Sequence, residues 1–191
     1  MTLNDVKQQD HFSEIDKKFM KKALKIAKLA ETKGEIPIGA VLVDKNDQII
    51  SQAHNIRELQ NTVIGHAEIV ALHKAGQKQQ SWRLTDCTLY VTLEPCFMCA
   101  RALVQSRIKR VVFATHDPKG GALGSLTNLA EDKRLNHRFT VESGLFAEES
   151  SQLLKNFFKM KRQKNNFSFQ FLFSIWRKVF FYDSKRSSHQ T

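Results

Sequence analysis

Cysteine is scarce in this chain: three residues, Cys87, Cys96 and Cys99, among 191. So odd and sparse a set excludes a disulfide framework and points toward metal or redox chemistry. Long apolar runs are missing as well. No stretch approaches the ~20 apolar residues of a membrane helix, so no membrane association is expected for the body of the chain. From Met1 to Asp16, acids, glutamines and lysines mix without an apolar run. A secretory leader is therefore not expected, and the expected location is cytoplasmic. There is no internal repeat. Acidic residues are the minority charge, 19 against 30 basic ones, for a formal charge of +11. That surplus suits an anionic partner, most often nucleic acid, or simply a basic tail that aids solubility.

What is present is enough for a core. Hydrophobic residues make up 41% of the chain, as in soluble globular proteins, and the length suits one domain plus peripheral sequence. Ser13–Lys33 places Ile15, Phe19, Ala23, Ile26, Ala27 and Ala30 at helical spacing with lysines opposite, and Gly34 is a natural stop. Ile38–Val43 and Gln48–Ala53 read as strands joined by a turn through Asp44 and Asn46. Helical periodicity returns over Ala67–Ala75. Thr88–Leu93 is β-branched and aromatic, a buried strand, and Pro95 is expected to start a helix running to about Ser106. Arg110–Ala114 and Phe139–Val141 read as strands, His116–Gly124 as a loop and Ala147–Lys164 as a closing helix. This order favours a layered α/β sandwich with a mostly parallel later portion.

Two short segments carry chemistry. His66-Ala67-Glu68 opens one predicted helix and Pro95-Cys96-Phe97-Met98-Cys99 opens another. Cys96 and Cys99, three apart, share one helical face in a first turn whose dipole favours thiolate. Two thiolates and the His66 imidazole make three ligands for Zn²⁺ and leave the fourth tetrahedral position to water, the mark of a catalytic site. Glu68 has no other duty and is placed to accept the water proton and deliver it onward. Each half has a plainer reading. His-x-Glu alone is an ordinary helix start with a solvated carboxylate, and Cys-x-x-Cys alone is shared among redox, structural zinc and catalytic sites. A redox site wants a thioredoxin-like setting, and a structural site wants a fourth ligand, for which Cys87 is the only spare cysteine. At the start of a strand, Cys87 reads as a small core residue. The two halves together match the known signature of zinc-dependent nucleobase deaminases.

Further segments extend that match. Glu35-Ile-Pro-Ile-Gly-Ala-Val-Leu-Val43, Gly65-His-Ala-Glu-Ile-Val-Ala-Leu72 and Leu89-Tyr-Val-Thr-Leu-Glu-Pro-Cys-Phe-Met-Cys-Ala100 resemble the bacterial tRNA-specific adenosine deaminases of the TadA type. Arg107–Phe113, Gly124-Ser125 and Phe157–Arg162 continue the resemblance, which spans about residues 14–163. It implies a cytidine-deaminase-like fold, α/β in three α/β/α layers, with a five-stranded mixed sheet flanked by helices. It implies a homodimer with zinc in each subunit, turning adenosine into inosine at the wobble position of a tRNA anticodon stem-loop. Carried over by position, Asn55 contacts the flipped nucleotide, Ala67 offers a backbone donor, and Glu35 shapes the pocket floor. Asp117 and Lys119 touch flanking nucleotides, and Phe158, with Lys159, Lys161 and Arg162, lies on the closing helix near the RNA. From residue type alone, Asn55 suits a purine edge or ribose hydroxyl but equally a turn. The His116–Gly124 loop, with its glycines and Lys119, suits a phosphate backbone or an ordinary surface. Phe157 and Phe158 are consecutive, so a helix cannot bury both equally. The chain departs from the family at Ile56-Arg57, where Arg-Pro is usual, which puts the bend of that loop in question.

The deaminase domain is thus expected over residues 1–163, with 164–191 as a basic, Phe-rich extension. Phe167, Phe169, Phe171 and Phe173 alternate with other residues and basic side chains lie among them. This extension suits packing on the body, stacking on RNA or resting on a membrane. Two competing functions stay open at this point: a deaminase of free cytosine, guanine or a nucleoside, and a catalytically silent RNA-binding subunit.

Overall fold

The structure, a computed structural model, describes residues 11–163; the Phe-rich extension lies outside the described residues. Helix α1 (Glu14–Thr32) leads into strands β1 (Gly39–Val43) and β2 (Ile49–His54). Helix α2 (Ala67–Gln79), β3 (Thr88–Leu93), α3 (Phe97–Gln105), β4 (Arg110–Thr115) and β5 (Thr140–Ser143) follow. A closing helix, α4, occupies 147–163. The chain divides into a compact unit up to Leu154 and a second that begins at Lys155.

The five strands lie in the order β2-β1-β3-β4-β5. The β1–β2 hairpin and the β1–β3 pair are antiparallel, whereas β3–β4 and β4–β5 are parallel. Alternation along the strands sorts side chains between two faces. Ala40, Leu42, Leu89, Val91, Val111 and Phe113 meet Ala67, Ala71 and Ala75 of α2 and Ala100, Leu103 and Val104 of α3. Val41, Val43, Tyr90, Val112 and Ala114 meet Phe19, Met20, Ala23 and Ile26 of α1. The result is three layers, α1 on one side of the sheet and α2 with α3 on the other. Alpha-helix α1 sits so close that a Cβ at Gly39 would run into the backbone of Ala23 and Ala27.

The predicted elements are all present, with ends displaced. Pro95 does not start a helix: Cys96 is the extended N-cap (φ −72°, ψ 175°) and α3 begins at Phe97. Helix α2 runs four residues past Ala75, through polar positions that carry no apolar period. Ile15, expected on the buried face of α1, is 43% exposed, and Asp16 takes the inward position. That aspartate closes a capping box with Ser13. It also accepts from Tyr90 Oη at 2.7 Å and from Arg110 Nη1 at 2.6 Å, and Arg110 in turn holds Glu142. Cys87 is the buried core residue expected of it, and all three cysteines are free thiols.

Candidate active site

The carboxyl end of β3 and the first turns of two helices meet at one point. His66 is the N-cap of α2 and Cys96 that of α3, both extended, and neither side chain caps its own helix. They turn toward each other instead. His66 Nδ1 lies 3.6 Å from Cys96 Sγ and 3.5 Å from Cys99 Sγ. The three ligand atoms all lie within 4.8 Å of one another, an arrangement that could hold a metal ion. Helix dipoles place positive potential at both N-termini, so the cluster favours thiolate. With Cys99 donating to it and His66 beside it, the Cys96 thiol is pushed down to about 4. Its bond to Cys96, burial and the nearby Glu68 push Cys99 the other way. The bond to Cys96 in turn makes the His66 imidazole more basic.

Glu68, in the first turn of α2, is buried within reach of Cys99. Burial is the largest influence on it and raises its proton affinity. Ala67, fully buried between His66 and Glu68, is the first residue of the helix, where a backbone N–H has no partner inside the helix.

Asn55 and Glu35 form a buried pair. Asn55 Nδ2 donates to Glu35 Oε2 at 2.8 Å, and the other carboxylate oxygen accepts from Leu59 N at 2.6 Å. Glu35 therefore orients the amide and ties down the following loop. That loop, the one bearing Ile56-Arg57, closes where Ile56 N donates to Gly65 O at 2.8 Å, one residue before His66.

On the side of β4, the segment 116–125 folds back on the cysteine motif. Ala122 N donates to Pro95 O at 2.9 Å and Gly121 bridges to Cys96. Asp117 caps its own turn by accepting from Lys119 N at 3.0 Å, and the Lys119 side chain is exposed. Behind this segment lies Glu94, which the sequence reading passed over. It is 2% exposed and accepts from Asp117 N, Leu123 N and Ser125 N at 2.9–3.0 Å, and from Ser125 Oγ. Burial works against its charge, but the donors from Ser125, Asp117 and Leu123 prevail and lower its proton affinity. Its signal in the sequence is position: it is the one acid between Asp86 and Asp117, at the exit of an apolar strand. Phe158 lies in the second compact unit, where Phe157 is buried and Phe158 is 40% exposed with its ring edge-on to its neighbour.

A deaminase family model, the MafB19-like deaminases, matches residues 14–162. A tRNA-specific adenosine deaminase of Bacillus subtilis is 51% identical over 149 residues, 78% of this chain and 92% of that protein. One from Haemophilus influenzae is 49% identical over 152 residues, covering 80% and 88%. A solved structure from work on A-to-I editing by tRNA:A34 deaminases at the wobble position matches with a TM-score of 0.69 at 40% identity, over 72% of this chain and 99% of that one. A guanine deaminase of Nitrosomonas europaea, at 20% identity and a TM-score of 0.63 over 82% and 93%, shares the fold alone. The fold and site define a deaminase with the cytidine-deaminase-like sandwich. Within that class, the chain belongs to the family of tRNA-specific adenosine deaminases.

Proposed function

We propose that this chain is a zinc-dependent hydrolase of C–N bonds that converts adenosine to inosine at the wobble position of a tRNA anticodon stem-loop. The observation that carries the reading is the convergence of His66 Nδ1 and both sulfurs beside buried Glu68, in a chain 51% identical to a tRNA-specific adenosine deaminase. Zinc fits the donor set. With Zn–S of ~2.3 Å and Zn–N of ~2.0–2.1 Å, a tetrahedron has N···S edges of roughly 3.6 Å, and the edges here are 3.5 and 3.6 Å. His66, Cys96 and Cys99 would hold the ion. When bound, it would act as a Lewis acid that makes water acidic enough to give up a proton near neutral pH.

Glu68 takes one proton from the attacking water and passes it to the purine ring nitrogen. It then takes the second from the hydroxyl formed at C6 and passes it to the amine, so that the C–N bond breaks, ammonia departs and C6 keeps the oxygen. A buried carboxyl with raised proton affinity suits both halves of that transfer. Ala67 N–H lines the pocket, Asn55 reads the flipped nucleotide with Glu35 fixing its amide, and Asp117 and Lys119 meet the flanking nucleotides. Phe158 stacks near the RNA. Residues 1–163 form the deaminase domain, working as a cytoplasmic homodimer.

The test is to incubate the zinc-reconstituted protein with an anticodon stem-loop carrying wobble adenosine, and separately with free guanine and free cytosine. Inosine in the RNA is the expected product. Ammonia released from a free base, with the RNA unchanged, overturns the proposal.

A further inference from the structure

Glu94 is buried two residues before Cys96, and its surroundings are built around both carboxylate oxygens. Oε1 accepts from Leu123 N at 3.0 Å and from Ser125 N at 2.9 Å. Oε2 accepts from Asp117 N at 3.0 Å and from Ser125 Oγ, with His116 Nδ1 at 3.2 Å. A Cβ at Gly121 would fall on this carboxyl group, so the chain passes over it with no side chain to spare. Glu94 N itself donates to Thr115 O at 2.9 Å. Both ends of the 116–125 segment are thus fastened to one side chain, two residues before Cys96.

We infer that Glu94 is a positioning residue, whose carboxylate latches the 116–125 segment onto the cysteine motif and so sets how Asp117 and Lys119 present themselves to RNA. The inference rests on the proposal that this segment meets the nucleotides flanking the target. A purely structural role would lower stability without moving substrate affinity. The latch instead separates affinity from turnover, because the chemistry lies with Glu68 and the three ligands.

Glutamine at 94 sharpens the point. Its one carbonyl oxygen can serve Leu123 N and Ser125 N, which faces its NH₂ toward Asp117 N, a donor against a donor. The Asp117 end should come loose while the Ser125 end holds. Ser125→Ala is a gentler companion that removes a single hydroxyl and leaves the backbone bonds.

The experiment compares wild type, Glu94→Gln and Ser125→Ala as full-length, zinc-loaded proteins. Inosine kinetics are measured on an anticodon stem-loop, amide hydrogen exchange at Asp117, Leu123 and Ser125, and zinc content by metal analysis. Losing one buried acceptor leads us to expect roughly tenfold in KM and in Asp117 exchange for Glu94→Gln. We expect kcat and zinc retained, and a smaller shift in the same direction for Ser125→Ala. Unchanged KM in both variants, or a loss confined to kcat with zinc released, overturns the inference. So does unchanged Asp117 exchange, a result that can be read even if wild type leaves the RNA untouched and the proposed activity fails. Should Glu94→Gln not fold, Ser125→Ala decides by the same KM and exchange criteria.

Discussion

The layers on either side of the sheet each bury a carboxylate, and they treat it in opposite ways. Asp16 of α1 and Glu68 of α2 are 5% and 4% exposed, and burial works against the charge of both. Asp16 is surrounded by donors: Ser13, Tyr90 and Arg110. Burial works against its charge, yet those partners carry its carboxyl down to about 2. Glu68 lies beside the Cys99 sulfur and the His66 imidazole, both of which favour its charge, yet burial prevails and carries it upward. Two enclosed carboxyls are thus shifted in opposite directions, one held charged by its partners and the other given a higher proton affinity by its burial.

The largest expected effect is loss of the ligand set. Cys99→Ala should abolish stoichiometric metal binding and, with it, inosine formation, since two donors no longer close the site. Metal analysis of the purified variant checks this independently of activity. A fully loaded, active Cys99→Ala protein would remove the site half of the comparison. Next comes Glu68→Gln, expected to cut turnover by roughly 10²–10⁴-fold, the range of a positioned acid–base group. Its thermal midpoint should hold or rise, because an amide escapes the cost of burying a charge. A drop in that midpoint would mean that Glu68 is as structural as Asp16.

Asp16→Asn should behave in the reverse way. Activity is retained, and stability falls by about 2–3 kcal/mol, less than for a pair broken outright because Arg110 keeps Glu142. Denaturant titration measures the loss. A pH series gives the same quantity from the other side. Asp16 is held at about 2 against an ordinary 3.8. Its stabilisation of about 2 kcal/mol is then present in full above pH ~4 and lost as pH falls through the folded value. The acid limb of wild type should therefore be steeper than that of Asp16→Asn. Equal limbs would show that the Tyr90–Arg110 surroundings do not hold the charge.

How much of this could be read from sequence follows from how local each signal is. The α1 and β3 patterns repeat within a few residues, and both elements appear with their ends almost unmoved. His66 with Glu68, and Cys96 with Cys99, are two- and three-residue spacings, and the fold brings them together as expected. Elements that end on conformation were misjudged. Cys96 is extended, so α3 starts two residues after Pro95 despite proline's liking for a first turn. The long-range partnerships left no local trace. Asp16 carries no signal of its inward place, because Tyr90 and Arg110 are 74 and 94 residues away. Glu94 reads as one more residue of a motif, because its donors are 23 to 31 residues on.

The smallest expected effect separates burial from pairing at two positions of helix α1. Lys28 of α1 faces Glu149 at 4.0 Å, with both side chains more than half exposed. Water already solvates each charge, and long side chains lose rotamer freedom to meet. Glu149→Gln should therefore shift stability by no more than ~0.5 kcal/mol, and less still at high salt. Denaturant midpoints for Glu149→Gln and Asp16→Asn, measured in parallel at low and high salt, give the ratio directly. If the exposed pair costs as much as the buried one, helix α1 is held by net charge rather than by the enclosed Asp16–Tyr90–Arg110 contacts. The contrast with Glu68 would then have to be drawn from charge balance, not from the partners each carboxylate was given.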